Sequence, residues 1–241
     1  MTSVEFSSDI TVKLVRSMAS DDLVVQAAQV SSKGENNPET VPERLIRALM
    51  LGRHGSPFEH TAFTFFVEAP IFVFREWQRH RISSFNEMSG RYTELPGKFY
   101  VTGNDRVVVN SGTKMKPDFT QLDWDIDANR EDTLRRDNVR DSLMTLASGG
   151  WVHYQNLLRQ GVANEVARMV LPLNIYSQMY WTVNARSLMN FLSLRVESED
   201  SLVRSYPQYE IHMAALEVEE LFKDKMPLTY AAFIDNGRVA P

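Results

Sequence analysis

The sequence contains no cysteine among its 241 residues. This absence excludes disulfides, thiolate metal ligands and a cysteine nucleophile together. Long apolar runs are also missing, since none approaches the ~18 residues that are needed to cross a bilayer. Residues 1–14 lack the basic start and apolar centre of a secretory signal. We therefore expect a cytoplasmic protein that does not associate with membranes.

Positive charge is in short supply, because 26 Lys and Arg face 31 Asp and Glu and give a net charge of −5. A surface for extended nucleic-acid binding is therefore not expected. The motifs G-x-G-x-x-G, G-x-x-x-x-G-K-[ST], G-x-S-x-G and H-E-x-x-H are absent, which argues against a Rossmann crevice. The 43% hydrophobic content is ordinary for a globular protein, and no repeat or composition break marks a boundary. We expect residues 1–241 to form a single domain.

Apolar periodicity and turn residues predict a mixture of helices and strands. We expect helices over 21–31, from a capping box at 40–43 to Gly52, over 70–77, 163–171 and 184–194, and a last helix over 206–222. Strands are expected over 60–67 and 175–183, with short strands or a hairpin within 98–115. Residues 34–38 read as a loop. Residues 117–141 read as an exposed connection into a long helix before Gly161, with buried positions at Leu143, Leu146, Tyr154, Leu157 and Leu158.

The densest positive charge lies at residues 79–92, which read R-H-R-I-S-S-F-N-E-M-S-G-R-Y. Arginine presents a fixed fork of donors that suits phosphate or carboxylate, and Ser and Asn add neutral hydrogen bonds. The motif is predicted to lie on the end of a helix that reaches Arg81 and on the loop that follows. The helical spacing of these charges, taken alone, is more typical of surface salt bridges.

Three further segments offer candidate anion-binding groups. Residues 184–195 place an Asn at a predicted helix N-terminus and an Arg in its first turn, although a solvated helix face would look the same. Arg168 follows a predicted helical turn, where a structural cation is also common. His54 and His60 flank a Gly-Ser-Pro turn; a structural role is the usual one there, and their spacing is weak support for a metal site.

Residues 79–92 resemble the R-H-R-x-x-S-x-N-x-x-S-x-R-Y signature of the flavin-dependent thymidylate synthases, and residues 184–195 resemble their N-A-R-x-x-x-N-F-x-x-x-R pattern. The resemblance implies an α/β fold with a central antiparallel sheet flanked by helices, assembled as a homotetramer with shared active sites. It implies conversion of dUMP to dTMP, with methylenetetrahydrofolate as one-carbon donor and FAD reduced by NADPH. A chain without a thiol cannot add cysteine to uracil, so activation of the ring by the charge of Arg195 is expected.

The resemblance also assigns residues to ligands. It implies FAD contacts for Ser56, Arg79, His80, Arg81, Glu87, Asn184, Arg186 and Asn190. It implies a dUMP pocket lined by Glu76, Arg79, Glu87, Met88, Ser89, Gly90, Arg91, Arg168 and Arg195. Arg195, His54 and Ser89 are the expected catalytic residues, with Ser89 limited to positioning, and no metal is expected.

Two departures from the family pattern stand out. Glu76 occupies a position where we expect Gln, and a carboxylate there would either pair with a neighbouring arginine or weaken phosphate binding. The segment 196–205 is longer than is usual in the family. In the family the next helix starts with a segment that carries a histidine, and residues 206–211 stand in its place, which bears on the flavin environment. Two other readings stay open: a nucleotide-sensing or nucleic-acid-binding module without catalysis, and a structural oligomer with arginines at its interfaces.

Overall fold

A computed structural model describes residues 3–33, 41–114, 117–118 and 126–241 of the chain. Within these ranges the strands are β1 (Glu5–Ser7), β2 (Thr11–Met18), β3 (Ala62–Pro70), β4 (Ser84–Glu87), β5 (Lys98–Tyr100) and β6 (Tyr176–Val183). The helices are α1 (Asp21–Lys33), α2 (Pro42–Leu51), α3 (Ile71–Trp77), α4 (Ile126–Arg159), α5 (Asn164–Ala167), α6 (Ala185–Arg195), α7 (Tyr209–Lys225) and α8 (Pro227–Asp235). Single 3₁₀ turns occur at Ser56–His60 and Arg168–Val170.

The main sheet has four antiparallel strands in the order β2-β3-β6-β4, and helices flank it. Side chains of β3 alternate between faces, so that Phe63, Phe65 and Val67 are fully buried while their neighbours are not. A separate parallel pair joins β1 to β5, with Phe6 opposite Phe99. The predicted fold class, an α/β fold with a central antiparallel sheet, is confirmed.

The described residues form two compact units. The first comprises Met1–Ile10, Glu68–Arg75 and Glu87–Gln178. Its core packs the long helix α4 against β5 and the start of β6, through Phe99, Trp151, Tyr154 and Ile175. The Tyr154 hydroxyl accepts a hydrogen bond from the main-chain N–H of Leu95 at 3.2 Å, which ties the loop before β5 to the helix.

The second unit comprises Thr11–Val67, Glu76–Asn86 and Met179–Pro241. Trp77, Trp181 and Phe191 are fully buried and lie within 5.2 Å of one another between ring centroids. This aromatic cluster joins the end of α3, strand β6 and helix α6. The polar Asp21 of α1 accepts hydrogen bonds from the main chain of Thr229 and its neighbour at 2.9 Å, which caps α8.

Several predicted elements are confirmed, among them α1, α2 with its C-cap at Gly52, the strands at 62–70 and 176–183, and α6 capped by Asn184. Helix α2 has Val41 as its N-cap, with no side-chain cap there. Thr40 of the predicted capping box and the predicted loop at 34–38 lie outside the described residues. So do Met115 and residues 119–125 of the predicted connection over 117–141. From Ile126 onward that stretch is helix α4 rather than a connection, so this part of the prediction was wrong.

Other predictions were wrong. The helix predicted over 70–77 is present as α3, but its continuation to Arg81 is not, because the chain turns after Trp77 through i to i+3 hydrogen bonds. Residues 84–87 form a strand rather than a loop, since they pair at the edge of the main sheet. Within 98–114 the structure has one short strand and no hairpin, because β5 pairs with the distant β1. Leu146 is exposed, since Ala147 and Trp151 occupy the buried face of α4, and α8 follows the helix predicted to be last.

Candidate active site

The predicted site residues fall into two sets, one in each unit. In the second unit, Arg195 at the end of α6 is held on all three guanidinium nitrogens. Its Nη1 donates to Glu76 Oε2 at 2.6 Å and its Nη2 to the main-chain oxygen of Glu76 at 3.2 Å. Its Nε donates to His80 Nε2 at 3.1 Å. Glu76 therefore pairs with an arginine, which was the first of the two outcomes that the sequence left open for it.

The pKa values of Arg195 and His80 are shifted mainly by burial. The Arg195 side chain is only 17% exposed. Burial lowers the pKa of Arg195 from its ordinary value; Glu76 opposes that change and Arg79 adds to it. Burial, and then the charge of Arg195, lower the pKa of His80 to about 4. His80 is therefore neutral near pH 7 and can accept the Arg195 hydrogen bond through Nε2, with its own proton on Nδ1.

Two further arginines of the motif lie beside this group. Arg79 and Arg81 are exposed, and no carboxylate partner is found for either among the described residues. Cations without a carboxylate partner in the described part of the chain are suited to an anionic ligand. The turn that carries them is closed by the Ser83 hydroxyl, which donates to the main-chain oxygen of His80 at 2.6 Å.

The N-terminus of α6 supplies a second group in the same unit. Asn184 Oδ1 accepts from the Ser187 N–H at 2.9 Å, so its side chain is used as a helix cap. Arg186 Nη1 lies 2.6 Å from Glu59 Oε1, and its Nε donates to the main-chain oxygen of Pro241 at 2.7 Å. One turn later, Asn190 Nδ2 donates to the Arg186 oxygen at 3.2 Å.

The segment that contains His54 and Ser56 contacts Arg186 at Gly55, the residue between the two. Both predicted residues are exposed, whereas Gly55 is buried. A Cβ added to Gly55 would lie 2.6 Å from Arg186 Cζ, so the guanidinium occupies the space that a side chain would need. The structure thus brings this segment and the start of α6 together, although they are 130 residues apart in the sequence. Two motifs that share a ligand must lie close together in this way.

In the first unit, a cavity of about 330 Å³ collects four of the predicted substrate residues. Glu87, Met88, Gly90 and Arg168 all line it, together with apolar side chains from α3 and from the segment before β6. Cavities of roughly this size suit small ligands. The carbonyl of Gln178 accepts from the Met88 N–H at 2.8 Å, which anchors the chain where it enters the cavity wall.

The charged groups of this cavity are only partly compensated. Arg91 Nε lies 2.9 Å from Glu165 Oε2, which itself lines the cavity. Arg168 has no carboxylate partner among the described residues and lies within 3.3 Å of the position that a Cβ on Gly90 would take. Ser89 Oγ accepts from the Arg91 N–H at 3.3 Å. A guanidinium like that of Arg168, at the wall of an open cavity, is a natural phosphate ligand.

Sequence reasoning missed several residues of these sets. Glu165, Leu95 and Ser177 line the cavity, and Glu59 holds Arg186. Glu165 could have been found, because it lies three residues before Arg168 at helical spacing. Glu59, Leu95 and Ser177 carry no local signal, since their positions depend on non-local packing.

Among the residues that the structure describes, no group of three or more His, Asp or Glu side chains could hold a metal ion. Across the same ranges, no helix combines the length and the apolar character of a bilayer crossing.

The fold and the two arginine-rich sets are those of an α/β protein with candidate sites for anionic ligands. Residues 13–228 match the model of the family described as thymidylate synthase complementing protein. A flavin-dependent thymidylate synthase of Streptomyces avermitilis is 49% identical over 98% of this chain and 95% of its own length. Another from Tropheryma whipplei is 47% identical, over 98% of this chain and 97% of its own.

A solved structure gives the same result. The crystal structure of PolB, a UMP/dUMP methylase of Streptomyces cacaoi bound with 5-Br UMP, is similar with a TM-score of 0.88 and 43% identity. The alignment covers 99% of this chain and all of that one. The chain belongs to the thymidylate synthase complementing protein family, the family of the flavin-dependent thymidylate synthases. The family predicted from the motifs is therefore confirmed.

Proposed function

We propose that this chain is a flavin-dependent thymidylate synthase, a methyltransferase that converts dUMP to dTMP. Methylenetetrahydrofolate supplies the carbon, and NADPH supplies the electrons by way of FAD. The proposal rests on the hydrogen bonds by which Glu76 and His80 hold the Arg195 guanidinium, in a chain that has no thiol. Uracil needs activation at C5, and a held, partly buried guanidinium can provide it through charge instead of through a covalent bond.

Arg195 is suited to this role because some of its N–H donors are not used by Glu76 and His80. Its contacts with Glu76 and His80 use three of the five N–H groups of the guanidinium. Two donors can therefore meet the N3/O4 edge of uracil and favour the anionic ring. Each pKa unit by which the ring is acidified corresponds to about 1.36 kcal/mol. Because the side chain is largely buried, water screens this interaction less than it would at the surface.

The first-unit cavity is the proposed pocket for the phosphate end of the nucleotide, and in the proposed homotetramer Arg195 is supplied to the uracil by another subunit. Arg168 binds the phosphate, since it is the lining cation without a carboxylate partner in the described part of the chain. Glu87 and the main chain of Met88 and Gly90 orient the ribose and base. Ser89 positions rather than attacks, because its hydroxyl accepts from the main chain of Arg91 and no base among the described residues is hydrogen-bonded to it.

The residues that the family assigns to FAD fit that group chemically. Arg79 and Arg81 are exposed cations that suit a diphosphate, and Arg186 presents its guanidinium against the small Gly55. His80, Asn184, Asn190, Ser56 and His54 complete the proposed set. When bound, FAD supplies the hydride that completes the methyl group, so tetrahydrofolate is the folate product. The residues of this chain would bind the isoalloxazine ring and exclude water from it.

Activity of the purified protein tests the proposal directly. With dUMP, methylenetetrahydrofolate, FAD and NADPH, we expect dTMP and tetrahydrofolate in equal amounts, and visible flavin absorption of the protein. Omission of FAD or NADPH should abolish the product. A colourless protein that cannot be reconstituted with FAD and forms no dTMP would point to the non-catalytic nucleotide-binding reading.

UMP is the second candidate substrate. The similar PolB is described as a UMP/dUMP methylase, at 43% identity over nearly the whole chain. The same assay with UMP in place of dUMP separates the two. Comparable kcat/KM for both nucleotides would assign a broad uridylate methylase.

We also propose that residues 1–241 act as one domain, that the protein is cytoplasmic like the pool of its nucleotide substrates, and that it assembles as a homotetramer with shared sites. Large apolar side chains support the assembly, since Leu146, Val152 and Met169 are at least half exposed in the isolated chain. Light scattering of the purified protein measures the mass of the assembly.

A further inference from the structure

Glu76 makes the main polar contact of Arg195, yet it has no assigned role of its own in catalysis. Its carboxylate and its main-chain oxygen each hold one terminal nitrogen of the guanidinium. The two contacts come from one residue at the end of a short helix, so they fix the plane of the guanidinium as a two-point clamp. His80 adds the third point from the Nε side.

The charge of this group is the more consequential feature. Arg195 is surrounded by Glu76, by neutral His80 and by the cation Arg79, while His212 Nδ1 lies 3.3 Å from its main-chain oxygen only. Glu76 is therefore the negative side chain that offsets the Arg195 charge among the described residues. The two charged groups lie 2.6 Å apart, with Arg195 17% and Glu76 39% exposed, so solvent screens that offset only in part.

We propose that Glu76 is a positioning residue that sets both the orientation and the effective charge of Arg195, and thereby limits how strongly Arg195 stabilises a uracil anion. This inference rests on the proposed function, because it requires a uracil ring at Arg195. Glu76, which the resemblance places in the dUMP pocket, acts on the uracil through the guanidinium, to which both its carboxylate and its main-chain oxygen bind.

The two parts of the role can be separated by substitution. Glu76→Gln keeps an acceptor for Arg195 Nη1 but removes the negative charge. Glu76→Ala removes both and leaves the main-chain contact alone. The Gln variant should therefore stabilise the uracil anion more than the wild type does, whereas the Ala variant should lose the orientation that directs the guanidinium to the ring.

Ionisation of a bound uracil analogue reads out this effect directly. The absorbance of 5-bromo-dUMP changes when N3 loses its proton, so a pH titration of the complex gives the apparent N3 pKa. We expect Glu76→Gln to lower that value by about half a unit to one unit relative to the wild-type complex. In an Arg195→Ala background the same substitution should have no effect, because the residue through which it acts is gone.

The control is Glu43→Gln, an identical change at a glutamate that pairs with Arg47 on the exposed face of α2. It should leave the apparent N3 pKa unchanged. If Glu76→Gln folds poorly, Glu76→Asp draws the carboxylate back from Nη1 and should shift the value in the same direction by less.

An unchanged N3 pKa in Glu76→Gln, or a shift that persists without Arg195, overturns the inference. Failure of the proposed function has a different signature, since the wild type itself would then form no dTMP. A wild type that makes dTMP, with Glu76→Gln and Glu76→Ala equally impaired, shows that the carboxylate is needed for its charge and also contradicts the inference.

Discussion

The guanidinium of Arg186 fills the space beside the α-carbon of Gly55, where an added Cβ would lie 2.6 Å from Cζ. Gly55 has a right-handed helical backbone, with φ −75° and ψ −27°, which any residue can adopt. Glycine is therefore required there by the close approach of the arginine and not by backbone conformation.

Gly55→Ala should displace the Arg186 side chain and weaken FAD binding about tenfold, which equals about 1.4 kcal/mol. The fold should be retained, because the obstructed atoms are the far end of a flexible side chain. Titration of the apoprotein with FAD by flavin fluorescence measures the effect. Gly149→Ala is the matched control, since a Cβ there meets nothing within 4 Å. Unchanged FAD affinity in Gly55→Ala would remove Arg186 from the flavin site.

Arg195→Ala should nearly abolish dTMP formation while flavin stays bound, because the charge that activates uracil is lost. Arg195→Lys keeps a positive charge but not the planar fork, so it should retain only a small part of kcat. Single-turnover dTMP formation with prereduced enzyme is the measurement, and the flavin spectrum is the control. Wild-type turnover in either variant would exclude electrostatic activation by this residue.

Stability should fall in mildly acid solution because of His80. Its pKa is lowered to about 4 in the folded chain, against a value of about 6.5 when unfolded. Between these values the unfolded imidazole binds a proton and the folded one does not, so the free energy of unfolding decreases as pH falls. His80→Gln still offers an oxygen to Arg195 Nε but cannot titrate. Its thermal midpoint should therefore decline less than that of the wild type from about pH 6.5 to 4. Parallel declines would contradict the assignment.

A buried ion pair near the end of the chain should dominate the stability of the second unit. Arg238 Nη1 lies 2.6 Å from Glu219 Oε1, and the two side chains are 4% and 6% exposed. Arg238→Met leaves a buried carboxylate without its partner, which costs about 3–5 kcal/mol. Replacing both residues by Met should cost less than the single change. Denaturant unfolding of the three proteins checks the order, and a mild effect of the single variant would show that water reaches Glu219.

Local patterns predicted much of the fold because they depend on neighbours in sequence. The Asn184 cap, the C-cap at Gly52 and the strand over 176–183 were confirmed from spacing and turn residues alone. Local patterns could not show which strands pair with one another. Residues 84–87 are a strand only because an edge of the sheet receives them, and β5 pairs with β1 from the far end of the first unit's sequence.

The same distinction holds for the site. The resemblance of the motifs to the family identified Arg79 and Arg168 as candidate ligands of anions and Arg195 as a candidate ligand of uracil, since residue types and their order carry that information. It did not show which carboxylate holds which arginine. Glu76 is 119 residues from Arg195, and Glu59 is 127 residues from Arg186, so both pairs depend on packing between distant segments.

The amino-acid sequence by itself determined the family, the lack of a thiol and therefore the need for activation by charge, because these follow from which residues are present and in what order. Only the tertiary structure decided that Arg195 is clamped by Glu76 and His80. Burial of Trp77, Trp181 and Phe191 against one another brings the end of α3 to α6, and that contact is a property of the packed core rather than of either segment.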